Sequence, residues 1–214
     1  MSDVVPAAEG VESPEPVPRV PRKRFLVIGV VLAAALGVGL FTSIGTSQGS
    51  PGSGSNSGGP YAGGPVPGFT APTVGPAGGS QVSVPADGGS RGTPAVLLFF
   101  GNWCPSCHQE LPPLAAEVRQ QAASGSPLAR IHVIGVDSED SRASAQAFIK
   151  SSGVTFPVAY DPDISITSGA FYFTGDPYAV FVRGDGKIDR IVRGDVLTPS
   201  SLVADERALI PSGT

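Results

Sequence analysis

The spacing of apolar residues predicts a set of short strands in the second half of the chain. Residues 81–84 alternate polar and apolar side chains, the pattern of a strand with one buried face. Residues 95–100 are continuously apolar and residues 131–136 nearly so, which indicates strands buried on both faces. Two further runs, residues 179–182 and 187–192, flank the sequence RGDG, whose glycines favour a hairpin turn.

A helix is predicted to begin at Cys104, directly after the strand and loop that precede it. Its two internal prolines, Pro112 and Pro113, are expected to interrupt it with a kink near Leu111. The residues that share one stripe of this helix are Cys107, Leu111, Leu114, Ala115 and Val118.

Two more helices are predicted at residues 141–151, with Asp140 or Ser141 as the cap, and at residues 200–209. Strands that alternate with helices pair in parallel, whereas the strands of a hairpin are antiparallel. The pattern therefore predicts an α/β fold with a central mixed sheet and helices on both faces.

The longest apolar segment, residues 25–44, contains no charged residue and matches the thickness of a bilayer core. A cleaved signal peptide usually has a shorter apolar core followed by small residues. The length therefore favours an uncleaved signal anchor, although residues 42–45 leave a cleavage site open.

Charge on the two sides of this segment predicts its orientation. After it, no basic residue occurs until Arg91. The basic residues just before it are Arg19, Arg22, Lys23 and Arg24. The positive-inside rule then predicts a single-pass protein of the cell membrane with a cytoplasmic N-terminus. Everything after the segment is expected outside the cytoplasm, where disulfides persist.

Composition divides the chain into four parts. Residues 1–24 are predicted to be a disordered cytoplasmic tail and residues 25–44 the anchor. Residues 45–66 are mostly Gly, Ser and Pro, a composition typical of flexible linkers. Residues 67–214 are expected to form the folded domain with a single core.

The charge balance excludes some partners and cofactors. The chain has 14 basic and 18 acidic residues, and the basic ones do not cluster in the soluble part, so nucleic acid is not an expected partner. The spacing of the acidic residues fits no calcium-binding loop, and neither a metal nor another cofactor is expected. These acidic residues are Asp137, Glu139, Asp140, Asp161 and Asp163.

The two cysteines, Cys104 and Cys107, carry the clearest chemical signal. A helix start favours the thiolate, and cysteines three residues apart lie on one helix face, close enough to bridge. A purely structural bridge would close a very small loop, and a zinc site would need His108 and His132 as further ligands, one of them in a predicted strand. A redox-active pair is the favoured interpretation.

Several motifs in order resemble one known family. They are residues 68–72 with 81–84, residues 97–107 (LLFFGNWCPSC), Glu110 with Pro112, residues 158–163, residues 175–177 and residues 184–188. Together they resemble the thioredoxin superfamily, and within it the membrane-anchored TlpA-like thiol–disulfide oxidoreductases, or redoxins. The resemblance implies a thioredoxin-like fold with an N-terminal β extension.

The resemblance also implies roles for individual residues. Cys104 is expected to be the exposed nucleophile and Cys107 the deeper, resolving thiol of a redox-active disulfide. Trp103 is expected to offer a docking surface, and a cis Pro177 to expose the backbone of Asp176 to an extended substrate. Expected partners are protein dithiols or disulfides and a membrane redox partner, in cytochrome c maturation or the handling of secreted disulfide proteins.

Two positions depart from the family pattern. Leu98 stands where thioredoxin has a buried aspartate that helps deprotonate the second thiol. Glu110 and His108 are the nearest candidates for tuning the thiol pKa values in its place. For Glu110 the sequence slightly favours a different role, stabilising the first helical turn through the macrodipole, and His108 is expected to face solvent.

Two other functions remain as alternatives. A peroxiredoxin-type peroxidase shares the fold but needs a threonine three residues before its reactive cysteine, where this chain has Gly101. A non-catalytic binding module with this fold would have no need for an intact cysteine pair. Thiol–disulfide exchange is therefore the leading hypothesis.

Overall fold

The computed structural model describes residues 59–84, 92–194 and 197–210. The predicted tail, the predicted membrane anchor and most of the predicted linker lie outside these residues. Within the described ranges, no helix combines the length and the apolar character needed to cross a bilayer. These ranges contain the predicted strands and helices and the cysteine pair.

A five-stranded mixed sheet forms the centre of the fold. The described strands, in chain order, are β1 (Phe69–Pro72), β2 (Gln81–Val84), β3 (Ala95–Phe100), β4 (His132–Ser138), β5 (Val158–Asp161), β6 (Tyr178–Val182) and β7 (Ile188–Arg193). The central sheet has the order β5-β4-β3-β6-β7, with β3, β4 and β5 parallel and the β6-β7 hairpin antiparallel. Strands β1 and β2 form a separate antiparallel ribbon. The predicted mixed sheet is confirmed.

The α-helices of the described residues are α1 (Pro105–Ser124), α2 (Arg142–Ser151) and α3 (Pro199–Leu209). Helix α1 connects β3 to β4, and α2 connects β4 to β5, so both connections step in the same direction across the sheet. Right-handed crossovers in one direction place their helices on the same face. The second and third predicted helices are confirmed, and Ser141 is the cap of α2.

Side chains of β3 alternate between two buried clusters. Val96, Leu98 and Phe100 pack in one cluster with residues of all three α-helices. Leu97 and Phe99 belong to the other cluster, on the opposite face of the sheet. Strand β3 is continuously apolar because both of its faces are buried.

The second face of the sheet is covered mainly by β structure. Val82 of the β1-β2 ribbon packs there with Phe171 and Phe173. The sequence predicts helices on both faces of the sheet. On this face, the helical contribution of the described residues is one six-residue π-helical segment, Ser165–Ala170, which buries Ile166. Helices α1 and α2 lie on the first face because of the handedness of their crossovers.

Helix α1 continues through Pro112 and Pro113, so the interruption predicted from these prolines does not occur. A proline at position i has no N–H for the carbonyl at i−4, which leaves the carbonyls of His108 and Gln109 without helical partners. Both residues are exposed, so water can satisfy these groups.

The sequence pattern does not predict strand β5. Only four residues long, it includes the polar Tyr160 and Asp161. It forms because β4 offers it a parallel edge and because Val74 donates its backbone N–H to Val158. These partners are distant in sequence, and a local pattern carries no signal of them.

The end of the predicted linker, just before the predicted boundary at residue 67, packs against the sheet. The Gly63 N–H donates to the Ile188 carbonyl, and the Ile188 N–H donates to the Gly64 carbonyl. Val66 is 1% exposed and packs in the second buried cluster. This segment covers the β7 edge of the sheet through its backbone, which glycine-rich composition does not reveal.

We expect a chain that begins at residue 59 to be more stable than one that begins at residue 67. Burial of Val66 contributes roughly 1.5–3 kcal/mol, and each lost backbone hydrogen bond about 1 kcal/mol. Urea denaturation of the two truncated chains measures the difference in free energy of unfolding. Equal stabilities would mean that the 59–66 segment does not dock.

Candidate active site

The cysteine pair lies at the N-terminus of α1. Cys104 is the N-cap, and its Sγ accepts a hydrogen bond from the Cys107 N–H at 3.2 Å. Gly101 begins the turn after β3 by accepting the Cys104 N–H, and Pro105 starts the helix with a favourable backbone angle. Cys104 and Cys107 form a disulfide with a Cα–Cα distance of 5.3 Å. The helix start and the bridge are both as predicted.

The prediction that Cys104 is exposed is wrong for this bridged form. Its side chain is 1% exposed, and Cys107 is fully buried. The reason is the capping geometry, which turns Sγ of Cys104 inward toward the backbone N–H of Cys107.

Trp103 is the exposed apolar residue beside the sulfurs, with 44% of its surface accessible. Its indole N–H donates to the Ser138 carbonyl at 2.9 Å, which fixes the ring across the end of β4. A Cβ at Gly101 would collide with the indole, so this orientation requires glycine there. The position is consistent with the docking role predicted for Trp103.

His108 is exposed, as predicted, and folds back toward the loop before the helix. Its Nε2 lies 2.7 Å from the Asn102 carbonyl oxygen, so this nitrogen carries the proton. The ring also packs against Phe148 of α2, with 4.5 Å between ring centroids. His108 therefore ties the active-site loop to two helices.

Glu110 lines a small cavity together with Cys107, and the structure contradicts the role in the first helical turn that the sequence favours for it. It is 6% exposed, lies beyond that turn, and has one carboxylate oxygen without a hydrogen-bond partner. Burial raises its pKa to about 7, opposed by a backbone hydrogen bond from Leu197. Glu110 and Cys107 line one small cavity with Leu98 and Pro177.

The loop before β6 completes the site. The Asp176–Pro177 peptide bond is cis. The Asp176 carboxylate accepts a hydrogen bond from the Ser138 hydroxyl at 2.5 Å, which links this loop to β4. Among the described residues, neither the N–H nor the carbonyl of Asp176 has a backbone partner.

Sequence reasoning missed the cluster of carboxylates at the end of β4. Asp140 accepts the Asn102 N–H at 2.6 Å, which holds the loop before Trp103. Asp137 is completely buried, and neither of its carboxylate oxygens has a hydrogen-bond partner. Burial raises the pKa of Asp137 to about 8, with further contributions from Asp140 and Asp176. In the sequence, the only signal was an aspartate at the end of a buried strand.

We expect Asp137 to make the fold less stable as the pH rises from about 4 to 8. Its pKa is 3.8 in the unfolded chain and about 8 in the fold, so its contribution is complete below pH 4 and lost by pH 8. Between pH 5 and pH 8 the free energy of unfolding, measured by denaturation, should fall by several kcal/mol, since each pKa unit corresponds to about 1.4 kcal/mol. Asp137→Asn should flatten this dependence, and an unchanged slope would contradict the assignment.

The described residues contain no group of three or more His, Cys, Asp or Glu side chains arranged to hold a metal ion. The site chemistry visible in the structure is that of two sulfurs, the buried Glu110 carboxyl beside Cys107, the carboxylates at the end of β4, and the loops that carry Trp103 and Asp176.

Two proteins of known sequence are similar to part of this chain. The thiol-disulfide oxidoreductase ResA of Bacillus subtilis is 28% identical over 123 residues, covering 58% of this chain and 64% of ResA. The soluble secreted antigen MPT53 of Mycobacterium tuberculosis is 31% identical over 119 residues, 55% of this chain and 60% of MPT53. The chain thus matches less than two thirds of the length of either relative.

Solved structures have the same fold. MTB dsbF superposes with a TM-score of 0.55 and 26% identity, over 66% of this chain and 95% of that one. A DsbF homologue from Corynebacterium diphtheriae has a TM-score of 0.54 at 21% identity, covering 68% of this chain and 86% of that one. The AhpC/TSA family matches residues 62–191, more than half of the chain. With its thioredoxin-like fold, the chain therefore belongs to the AhpC/TSA family.

Proposed function

We propose that this protein is a thiol–disulfide oxidoreductase that acts on the dithiols and disulfides of other proteins. The observation that carries the proposal is the Cys104–Cys107 disulfide at the start of α1, next to a loop whose Asp176 backbone is unpaired among the described residues. A redox pair and a strand-like docking edge together are what exchange with a protein disulfide requires.

The exchange proceeds in two displacements. In the reduced protein, the Cys104 thiolate attacks a substrate disulfide, forming a mixed disulfide and releasing one substrate thiolate, which takes up a proton. The Cys107 thiolate then attacks Sγ of Cys104, releasing the second substrate thiolate and leaving the Cys104–Cys107 bridge. Two electrons pass from the cysteine pair to the substrate, and the reverse sequence oxidises a substrate dithiol.

Glu110 is the group that removes the proton from Cys107 in this proposal. The two side chains line one cavity with Leu98, which has no ionisable group. A carboxyl with a pKa of about 7 holds and releases protons near neutral pH, as a general base needs to do. Its unpartnered oxygen is free to accept the proton.

We further propose that the domain works outside the cytoplasm, anchored by residues 25–44. The uncharged apolar segment and the basic residues before it support this location, a compartment in which the disulfides of substrate proteins persist. The substrates would then be exported proteins, either apocytochromes c or secreted disulfide proteins, and a membrane redox partner would exchange electrons with the pair.

Insulin reduction in the presence of dithiothreitol tests the proposed reaction. We expect the protein to accelerate precipitation of the insulin B chain and to show no comparable turnover of hydrogen peroxide. Peroxide turnover without insulin turnover would indicate the peroxidase alternative, and the absence of both would indicate a binding module. Equilibration with glutathione then gives the reduction potential, which decides between a reductant and an oxidant.

A further inference from the structure

A second cavity, of about 190 Å³, has Trp103 in its wall, the residue before Cys104. Its walls include Glu139 at the end of β4, Ile164 and Ser168 of the segment after β5, and Phe173. Sites for drug-sized ligands usually measure about 300–1,000 Å³. This cavity is smaller, a size suited to one amino-acid side chain.

The cavity lies between the two loops that hold the reacting groups. Trp103, on one wall, immediately precedes Cys104, and Gly175, on another, immediately precedes Asp176. A substrate strand paired with the Asp176 backbone alternates its side chains on either side of the strand. A residue that flanks the substrate cysteine is thereby brought to the cavity.

The walls are held in an unusual backbone conformation. Two wall residues, Glu139 and Ile164, have φ values of 59° and 54°, a region that non-glycine residues rarely adopt. The buried Asp161 carboxylate holds this region by accepting the backbone N–H groups of Ile166 and Thr167 at 3.0 and 2.8 Å. Such strain persists only where surrounding contacts fix it, so the cavity is preformed.

The charged residue in the cavity wall is an acid, and the Arg193 guanidinium lies behind the wall, 5.4 Å from the centroid of the Phe173 ring. The exposed Glu139 carboxylate belongs to its wall, and Asp176 adjoins it. Burial raises the pKa of Asp176 to about 6, opposed by its hydrogen bond from Ser138 and reinforced by Glu139, Asp161 and Asp140. No arginine or lysine lines the cavity, and none of the ion pairs found within the described residues involves these carboxylates.

We propose that this cavity binds a lysine or arginine side chain next to the reacting cysteine of the protein substrate. The aliphatic stem would pack on Ile164 and Phe173, and the cationic end would meet the Glu139 carboxylate and the Trp103 ring. The inference rests on the proposed thiol–disulfide exchange and adds a preference among its substrates. An acidic side chain at the same place would be repelled.

Three disulfide peptides test the preference, identical except for Lys, Gln or Glu next to one cysteine. The full-length chain, recycled by dithiothreitol, should reduce the lysine peptide with a kcat/KM about fivefold above that of the glutamine peptide, a factor consistent with one cation–π contact and one exposed ion pair. The glutamate peptide should be the poorest. The lysine preference should shrink at high salt.

Two variants show whether the cavity is responsible. Glu139→Gln should bring the ratio of kcat/KM for the lysine peptide to kcat/KM for the glutamine peptide close to one. Glu117→Gln, an equal charge change on α1, should leave this ratio unchanged. Ser168→Leu, which fills the cavity, should also remove the preference. Equal rates for all three wild-type peptides would overturn this inference and leave the oxidoreductase proposal standing, whereas no turnover of any peptide would overturn both.

Discussion

We expect Cys104→Ser to abolish insulin reduction, leaving only the rate of dithiothreitol alone. Cys104 sits at the positive end of α1, where its Sγ receives the Cys107 N–H at 3.2 Å, and both features stabilise its thiolate. Serine keeps the capping hydrogen bond, so the fold should survive while the nucleophile is lost. The measurement is the rate of insulin B-chain precipitation, with circular dichroism to check the fold.

Cys107→Ser is the matched variant, and its expected behaviour is different. Without the resolving thiol, Cys104 should form a mixed disulfide with substrate or glutathione that persists and adds the partner's mass. In the reduced wild-type protein, iodoacetamide at near-neutral pH should label Cys104 before Cys107. Preferential labelling of Cys107, or a trapped adduct in Cys104→Ser instead, would reverse the assigned roles.

We expect Glu110→Gln to slow resolution of the mixed disulfide about a hundredfold near pH 7, the low end of what a positioned acid–base group contributes. The pKa of Glu110 is about 7, so the wild-type rate should rise as the pH passes through that value, and the variant should lack this rise. Stopped-flow measurement of resolution between pH 5 and 9 tests both points. At high pH, where Cys107 ionises unaided, the two rates should converge.

Glu110→Gln is also expected to change the stability of the protein. A gain in stability would show that a slower reaction is not caused by damage to the fold. The pKa of Glu110 is raised from 4.5 to about 7, so its contribution is complete below pH 4.5 and lost as the pH rises through 7. Glu110→Gln should therefore be the more stable protein above pH 7. Glu117→Gln on the same helix is the control, and an unaltered pH–rate profile in Glu110→Gln would remove Glu110 from the mechanism.

Local patterns predicted most of the elements that position the site. The apolar run of β3, the helix that begins after Cys104 and the β6-β7 hairpin are all confirmed. Their signals are local, because side-chain period, capping residues and turn glycines act over a few residues. Strand β5 and the docking of residues 59–66 were missed, since both depend on backbone pairing with distant segments.

By itself, the sequence determined that two cysteines begin a helix after a buried strand, which specifies a redox pair. Only the tertiary structure decided that Cys104 is covered in the bridged form, that the Glu110 carboxyl is buried, and that Asp137 is buried without a partner. Burial and the resulting pKa shifts depend on which distant surfaces meet. The crossovers between parallel strands determine which surfaces pack together, and a local residue pattern does not predict this packing.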